Sequence, residues 1–292
     1  MAGRHLHRTH TPLRHLAKAA VTAPLKRGPY TGARLPQERI SLPPTAVDPE
    51  RVRRYAQLCG HDPGSEALPP AYPHVMAFPS AVQLLAARHF PFPLPGLVHL
   101  RIELTQHRPL RRTDRPRLTV HAEGPAPHRG GTAFDLVTEA ALDGERVWHS
   151  RSTYLCRHRT ARPSAPASPT LAPAPPLAAR WRLPSDLGRR YAAVSGDHNP
   201  IHLHPLTARP FGFPRALAHG MWTFARCLAE LERTAGRASG GIGWAEAEFK
   251  APVLLPAQVD YALDPATGAF ALRGGPDSGK PHLTGRAGPA PR

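Results

Sequence analysis

Within "SGDHNPIHLHP", residues 195–205, the chain places a carboxylate, a carboxamide and three imidazoles, and "AHGM" follows at 218–221. Asp197 and His202 are five residues apart, about 140° around a continuous α-helix, so no single helix could bring them to one face. Pro200 also disfavours the helical basin for Asn199, and the chain must turn. Such a turn can gather the Asp197 carboxylate and the His202 imidazole into one small volume. Each group then tunes the protonation of the other, giving an acid–base pair that works near neutral pH and can hold a water between its members. Asn199 is free to bond the loop or a ligand.

Gly220 is the second component. If "AHG" opens a helix, the Gly220 amide lies at its positive end, where a developing oxyanion is stabilised, and the missing Cβ lets a ligand approach the backbone. A thioester carbonyl bonded there has an acidified Cα–H, which the nearby pair could exchange while water is added or removed at Cβ. Plainer readings compete. Asp197 could simply brace a turn. His198, His202 and His204 could suggest a metal, yet no cysteine or second carboxylate cluster completes a tetrahedron, so neither metal nor organic cofactor is expected. His219 reads as a brace bonded to the turn. Ser195, Met221 and Trp222 are candidates for supporting or substrate-lining roles, with core packing an equal reading for Trp222.

Particular elements must hold these groups. Leu183–Val194 reads as a short helix, capped by Ser185, with Leu187, Tyr191 and Val194 inward and Gly196 as its exit. Met221–Glu232 aligns Met221, Phe224, Ala225, Leu228 and Leu231 on one face, and no charge occurs in its first five residues, which predicts a buried helix.

An internal repeat organises the rest. "RRYAQLCGHDP" at 53–63 resembles "RRYAAVSGDHNP" at 189–200, and "PHVM" at 73–76 echoes "AHGM". The helix expected after the first echo is "SAVQLLAARHF", 80–90, stopped by Pro91 and Pro93. Strand-like runs follow in both halves: 96–106, 117–124, 132–142 and 145–156, with turns at Gly130–Gly131 and Asp143–Gly144, then 241–256, 258–264, 268–274 and 282–288. Each unit is therefore a helix followed by a curling antiparallel sheet, an α+β class. His61 falls opposite Asp197, so the first unit is not expected to present the pair.

Composition bounds the remainder. The 292 residues contain 37 Pro and 24 Gly, and 161–178 reads as an extended Pro/Ala/Ser connector. The formal charge is +17, much of it in the first 39 residues, where Glu38 is the sole acid and a disordered basic tail is expected. No convincing aromatic–basic interleaving supports nucleic-acid binding, and no apolar run reaches the ~18 residues of a membrane span. Cys59, Cys156 and Cys227 are isolated and odd in number, which fits packed thiols in a reducing cytoplasm.

"YAAVSGDHNPIHLHP…GFPRALAHGM" resembles the hydratase signature of the MaoC-like, (R)-specific enoyl-CoA hydratases of the hotdog fold. The layout from about 40 to 290 is similar to double-hotdog actinobacterial 3-hydroxyacyl-thioester dehydratases, through "YPHVMAFPS", "FPFPLPG", "LTQHRPL", "KAPVLLPA" and "KPHLTG". The resemblance implies Asp197 and His202 as the catalytic pair, Gly220 as the oxyanion amide, and an acyl-CoA or acyl carrier protein thioester as substrate. With the composition it divides the chain into a tail at 1–39, a degenerate pocket-shaping unit at 40–158, a linker at 159–182 and a catalytic unit at 183–292. A monomeric pseudo-dimer or a homodimer fits this arrangement. His204 stands where many such hydratases carry Asp. A hotdog thioesterase or a noncatalytic acyl-binding protein is the alternative.

Overall fold

The computed structural model describes residues 26, 28, 30–160, 175–235, 241–275 and 279–290. Ten strands form one antiparallel sheet in the order β1-β3-β4-β5-β2-β7-β10-β9-β8-β6. Reading inward from each edge gives the same pattern: first, third, fourth, fifth and second strand of a unit. The first unit contributes β1 (Arg39–Leu42), β2 (Val98–Gln106), β3 (Arg117–His128), β4 (Gly131–Leu142) and β5 (Glu145–Arg157). The second contributes β6 (Leu177–Leu183), β7 (Trp244–Phe249), β8 (Ala257–Asp264), β9 (Ala269–Gly274) and β10 (Pro281–Gly288). The duplication seen in the sequence is thus a duplication of topology. The units join where β2 pairs with β7, from Arg101 opposite Glu248 to Thr105 opposite Trp244.

The helices occupy matching places, α1 (Pro49–Cys59) and α2 (Tyr72–Leu85) in the first unit, α3 (Leu187–Ser195) and α4 (Gly220–Ala235) in the second. Gly60 and Gly196 end α1 and α3 with nearly equal left-handed angles, φ 83° and 84°, a conformation glycine takes without Cβ strain. Tyr55 and Tyr191, equivalent in the repeat, are both buried with ring centroids 6.1 Å apart. Phe224, Ala225, Leu228 and Leu231 of α4 are buried as the spacing predicts, while Met221 is only partly so.

Several boundaries differ from the sequence reading. Residues 177–182, assigned to the connector, are strand β6, and Arg39, assigned to the tail, begins β1. Both are outer edge strands, where one side lacks a partner and polar residues replace the usual apolar alternation. Residues 161–174 of the linker and the tail up to 25 lie outside the described residues. Lys26 and Tyr30 are not free tail. The Lys26 ammonium donates to the Leu85 and Phe92 carbonyls at 3.1 and 3.3 Å, and Tyr30 packs on Phe92 and His158.

Helix α2 begins eight residues before the expected "SAVQLLAARHF" and ends at Leu85. It stops six residues short of Pro91, the expected stop, and contains Pro79. Burial of most of its residues, from Tyr72 and Val75 to Leu84, outweighs the lost backbone bond. Helix α3 starts at Leu187 behind Asp186, with no side-chain cap from either Asp186 or Ser185.

Candidate active site

The residues after α3 form a sequence of small hydrogen-bonded turns. Ser195 Oγ donates to the Tyr191 carbonyl at 2.8 Å and accepts from the Asp197 N–H at 3.1 Å. Asp197 Oδ1 accepts from the Asn199 N–H at 3.1 Å, and Asn199 Oδ1 caps the 3-10 turn Pro200–His202 through the Ile201 N–H. Asn199 therefore bonds the loop. His204 Nδ1 accepts from the Leu206 N–H at 3.2 Å, doing the capping work that a carboxylate could do at that position.

This path brings Asp197, His202 and His219 together: one carboxylate oxygen and one nitrogen of each ring lie within 4.8 Å of one another. Two acceptors each bonded to a shared water at ~2.8 Å stand roughly 4.5 Å apart at a tetrahedral angle, so a single water spans this scale. The imidazoles of His202 and His219 stack, centroids 3.7 Å apart and planes 25° apart. His219 Nε2–H donates to the Asp197 carbonyl at 3.0 Å, and Tyr191 packs on its ring at 4.8 Å. His202 Nδ1–H donates to the Leu217 carbonyl at 3.0 Å, which fixes the tautomer and leaves Nε2 with its lone pair in the neutral ring. These bonds commit one nitrogen of each histidine to a carbonyl and leave the other with its lone pair.

Burial sets the charge state. It lowers the His202 pKa below the ordinary imidazole value, with Asp197 and the Leu217 carbonyl opposing part of the shift. His219, almost fully buried, is pushed well below by burial first and then by His202. Asp197 remains accessible, its side chain 27 % exposed.

Gly220 is the first residue of α4, so its N–H has no intrahelical partner. A Cβ there would meet the Phe249 ring at 3.0 Å. Phe249 in turn contacts His99, centroids 4.7 Å apart, and His99 stacks on Tyr154 at 4.6 Å. Burial raises the Tyr154 phenol pKa far up, and the Asp197 charge adds to the shift. His99 and Tyr154 come from β2 and β5 of the first unit, and the sequence reading named neither. Trp222 lies elsewhere: its indole N–H donates to the Leu58 carbonyl at 3.1 Å and anchors α4 to the end of α1. Met221 packs against the core edge.

Gly188 was also missed. A Cβ on this residue of α3 would fall inside the van der Waals sphere of the His202 carbonyl. The Pro200–His202 turn can rest on the helix because that position is bare.

A paired unit of helix and curled sheet, repeated once and carrying a turn-borne carboxylate–imidazole cluster against a helix amide, defines the double-hotdog, MaoC-like class of proteins. Residues 165–264 match the MaoC like domain family. The chain is 37 % identical over 275 residues to 3-hydroxyacyl-thioester dehydratase X of Mycobacterium tuberculosis, covering 93 % of this chain and 96 % of the relative. It belongs to the MaoC-like dehydratase family. The crystal structure of HtdX from the same organism superposes with a TM-score of 0.73 at 34 % identity, over 86 % of this chain and 99 % of that one. A second M. tuberculosis protein, described as having a double hotdog fold, shares the architecture with a TM-score of 0.56 at 14 % identity, over 89 % of this chain and 97 % of that one.

Proposed function

We propose that the chain is a hydro-lyase interconverting (3R)-hydroxyacyl and trans-2-enoyl thioesters, carried on coenzyme A or an acyl carrier protein, within cytoplasmic fatty-acid metabolism. The observation that supports this most directly is the gathering of Asp197 and His202 with His219, the residue before Gly220, whose N–H opens α4. In the hydration direction the thioester oxygen accepts from the Gly220 N–H, drawing electron density from Cβ through the conjugated double bond. Asp197 and the Nε2 lone pair of His202 hold the attacking water. As its oxygen bonds to Cβ, one water proton passes to the pair, and the pair returns a proton to Cα. Dehydration runs the same steps backwards, and neither direction consumes a cofactor.

In this reading the acyl chain runs past Phe249, His99 and Tyr154, which adjoin Gly220 in turn, and the first unit shapes the pocket. The high positive charge suits the phosphates of coenzyme A or an acidic carrier surface.

Enoyl-thioester absorbance tests the reading. It should fall on addition of protein, with no free thiol released. Asp197→Asn should lower kcat about a thousandfold, within the usual range for losing a general acid–base group, and change KM far less. Full activity in that variant, or thiol release at the rate of absorbance loss, would contradict it.

A further inference from the structure

The repeat predicts a counterpart to the active site, and the structure has a cavity there. His61 follows Gly60 as Asp197 follows Gly196. A cavity of about 950 Å³, near the upper end for small-molecule sites, is lined by His61 together with Leu231, Glu232, Ile242, Trp244 and Pro289. The strand register places Ile242 and Pro289 near the positions that His99 and Tyr154 take on the other side. The polar residues of the active-site wall are thus replaced by apolar ones, and neither Asp197 nor His202 reaches this cavity.

Among the polar residues of the lining, which include Asp62, Ser65, Glu232, Arg233, Thr234 and Thr267, His61 is the buried one. His61 has a side chain only 4 % exposed, and its Nδ1–H donates to the Glu232 carboxylate at 2.8 Å. Its Nε2 is buried with no partner among the described residues. An unpaired buried acceptor is costly, and a ligand that satisfies it recovers that cost. The Glu232 carboxylate behind the ring disfavours a second anion at Nε2, whereas a hydroxyl can donate to the lone pair with no change of charge.

We propose that this cavity is a second, noncatalytic site for an aliphatic chain bearing a hydroxyl group, with the hydroxyl on His61 Nε2 and the chain against Leu231, Ile242 and Trp244. Calorimetric titration of the full chain with 1-octanol tests it. Saturable binding is expected, at least tenfold tighter than octanoate of the same chain length. His61→Phe removes the acceptor, and Ala266→Trp obstructs the cavity from an exposed lining position where folding is little at stake. Each should weaken octanol binding tenfold or more while enoyl-thioester hydration proceeds at the wild-type rate, so the two sites are read separately. No saturable binding to the wild type, equal affinity for octanoate, or affinity that survives both substitutions would overturn the proposal.

Discussion

Two stacked imidazoles cannot both carry a proton cheaply, and the way His202 and His219 share their space has a measurable result. Burial pulls His202 below its ordinary value, so protonation sets in at lower pH than for a free histidine. In the proposed mechanism the pair uses the His202 lone pair for hydration. The acid limb of kcat/KM should therefore lie below about 6.5, with activity retained through that pH and lost beneath it. A limb at or above the free-histidine value would contradict the assignment. At this scale Asp197, Asn199, His202 and Gly220 could be singled out from the sequence as candidates, because each lies in a short stretch whose residue types suggest the chemistry. Tyr154 and His99 could not, because their nearness to the site is created by pairing β2 with β7, and no local pattern encodes that closure.

Elements position these residues through bare spots as much as through side chains. Gly188→Ala would force α3 and the Pro200–His202 turn apart. Overpacking of this kind costs about 1–3 kcal/mol. A lower melting temperature with kcat reduced at least tenfold is expected, since the displaced turn carries His202, and an unchanged kcat would show that the contact does not position it. Most strands were legible from alternation and from the Asp143–Gly144 turn, where both residues take positive φ. The two edge strands were not: β1 is only four residues long and Arg180 and Arg182 interrupt β6, so each merged into a neighbouring polar or Pro-rich tract. The early start of α2 was not read either: it runs through Pro79, and tertiary burial there overrides a strong local penalty.

On the scale of the molecule, the continuous sheet and cross-unit bonds such as Arg51 to the Val194 carbonyl at 2.7 Å make the halves one cooperative body. Calorimetry should show a single unfolding transition; two resolved transitions would separate the units. Acid should weaken that body in a defined window. Buried His74 has its pKa lowered to about 4, so between pH 6.5 and 4 the unfolded chain binds more protons than the folded one. Stability then falls as pH falls through this range, by about 3 kcal/mol for this residue, and His74→Phe should blunt the loss of melting temperature.

The linear fusion of the repeats carries an evolutionary corollary. In a symmetric homodimer every mutation is written twice, so any residue that spoils proton transfer in one copy spoils it in both. In this chain position 61 is a histidine and position 197 an acid, so the two halves do not have to carry the same chemistry.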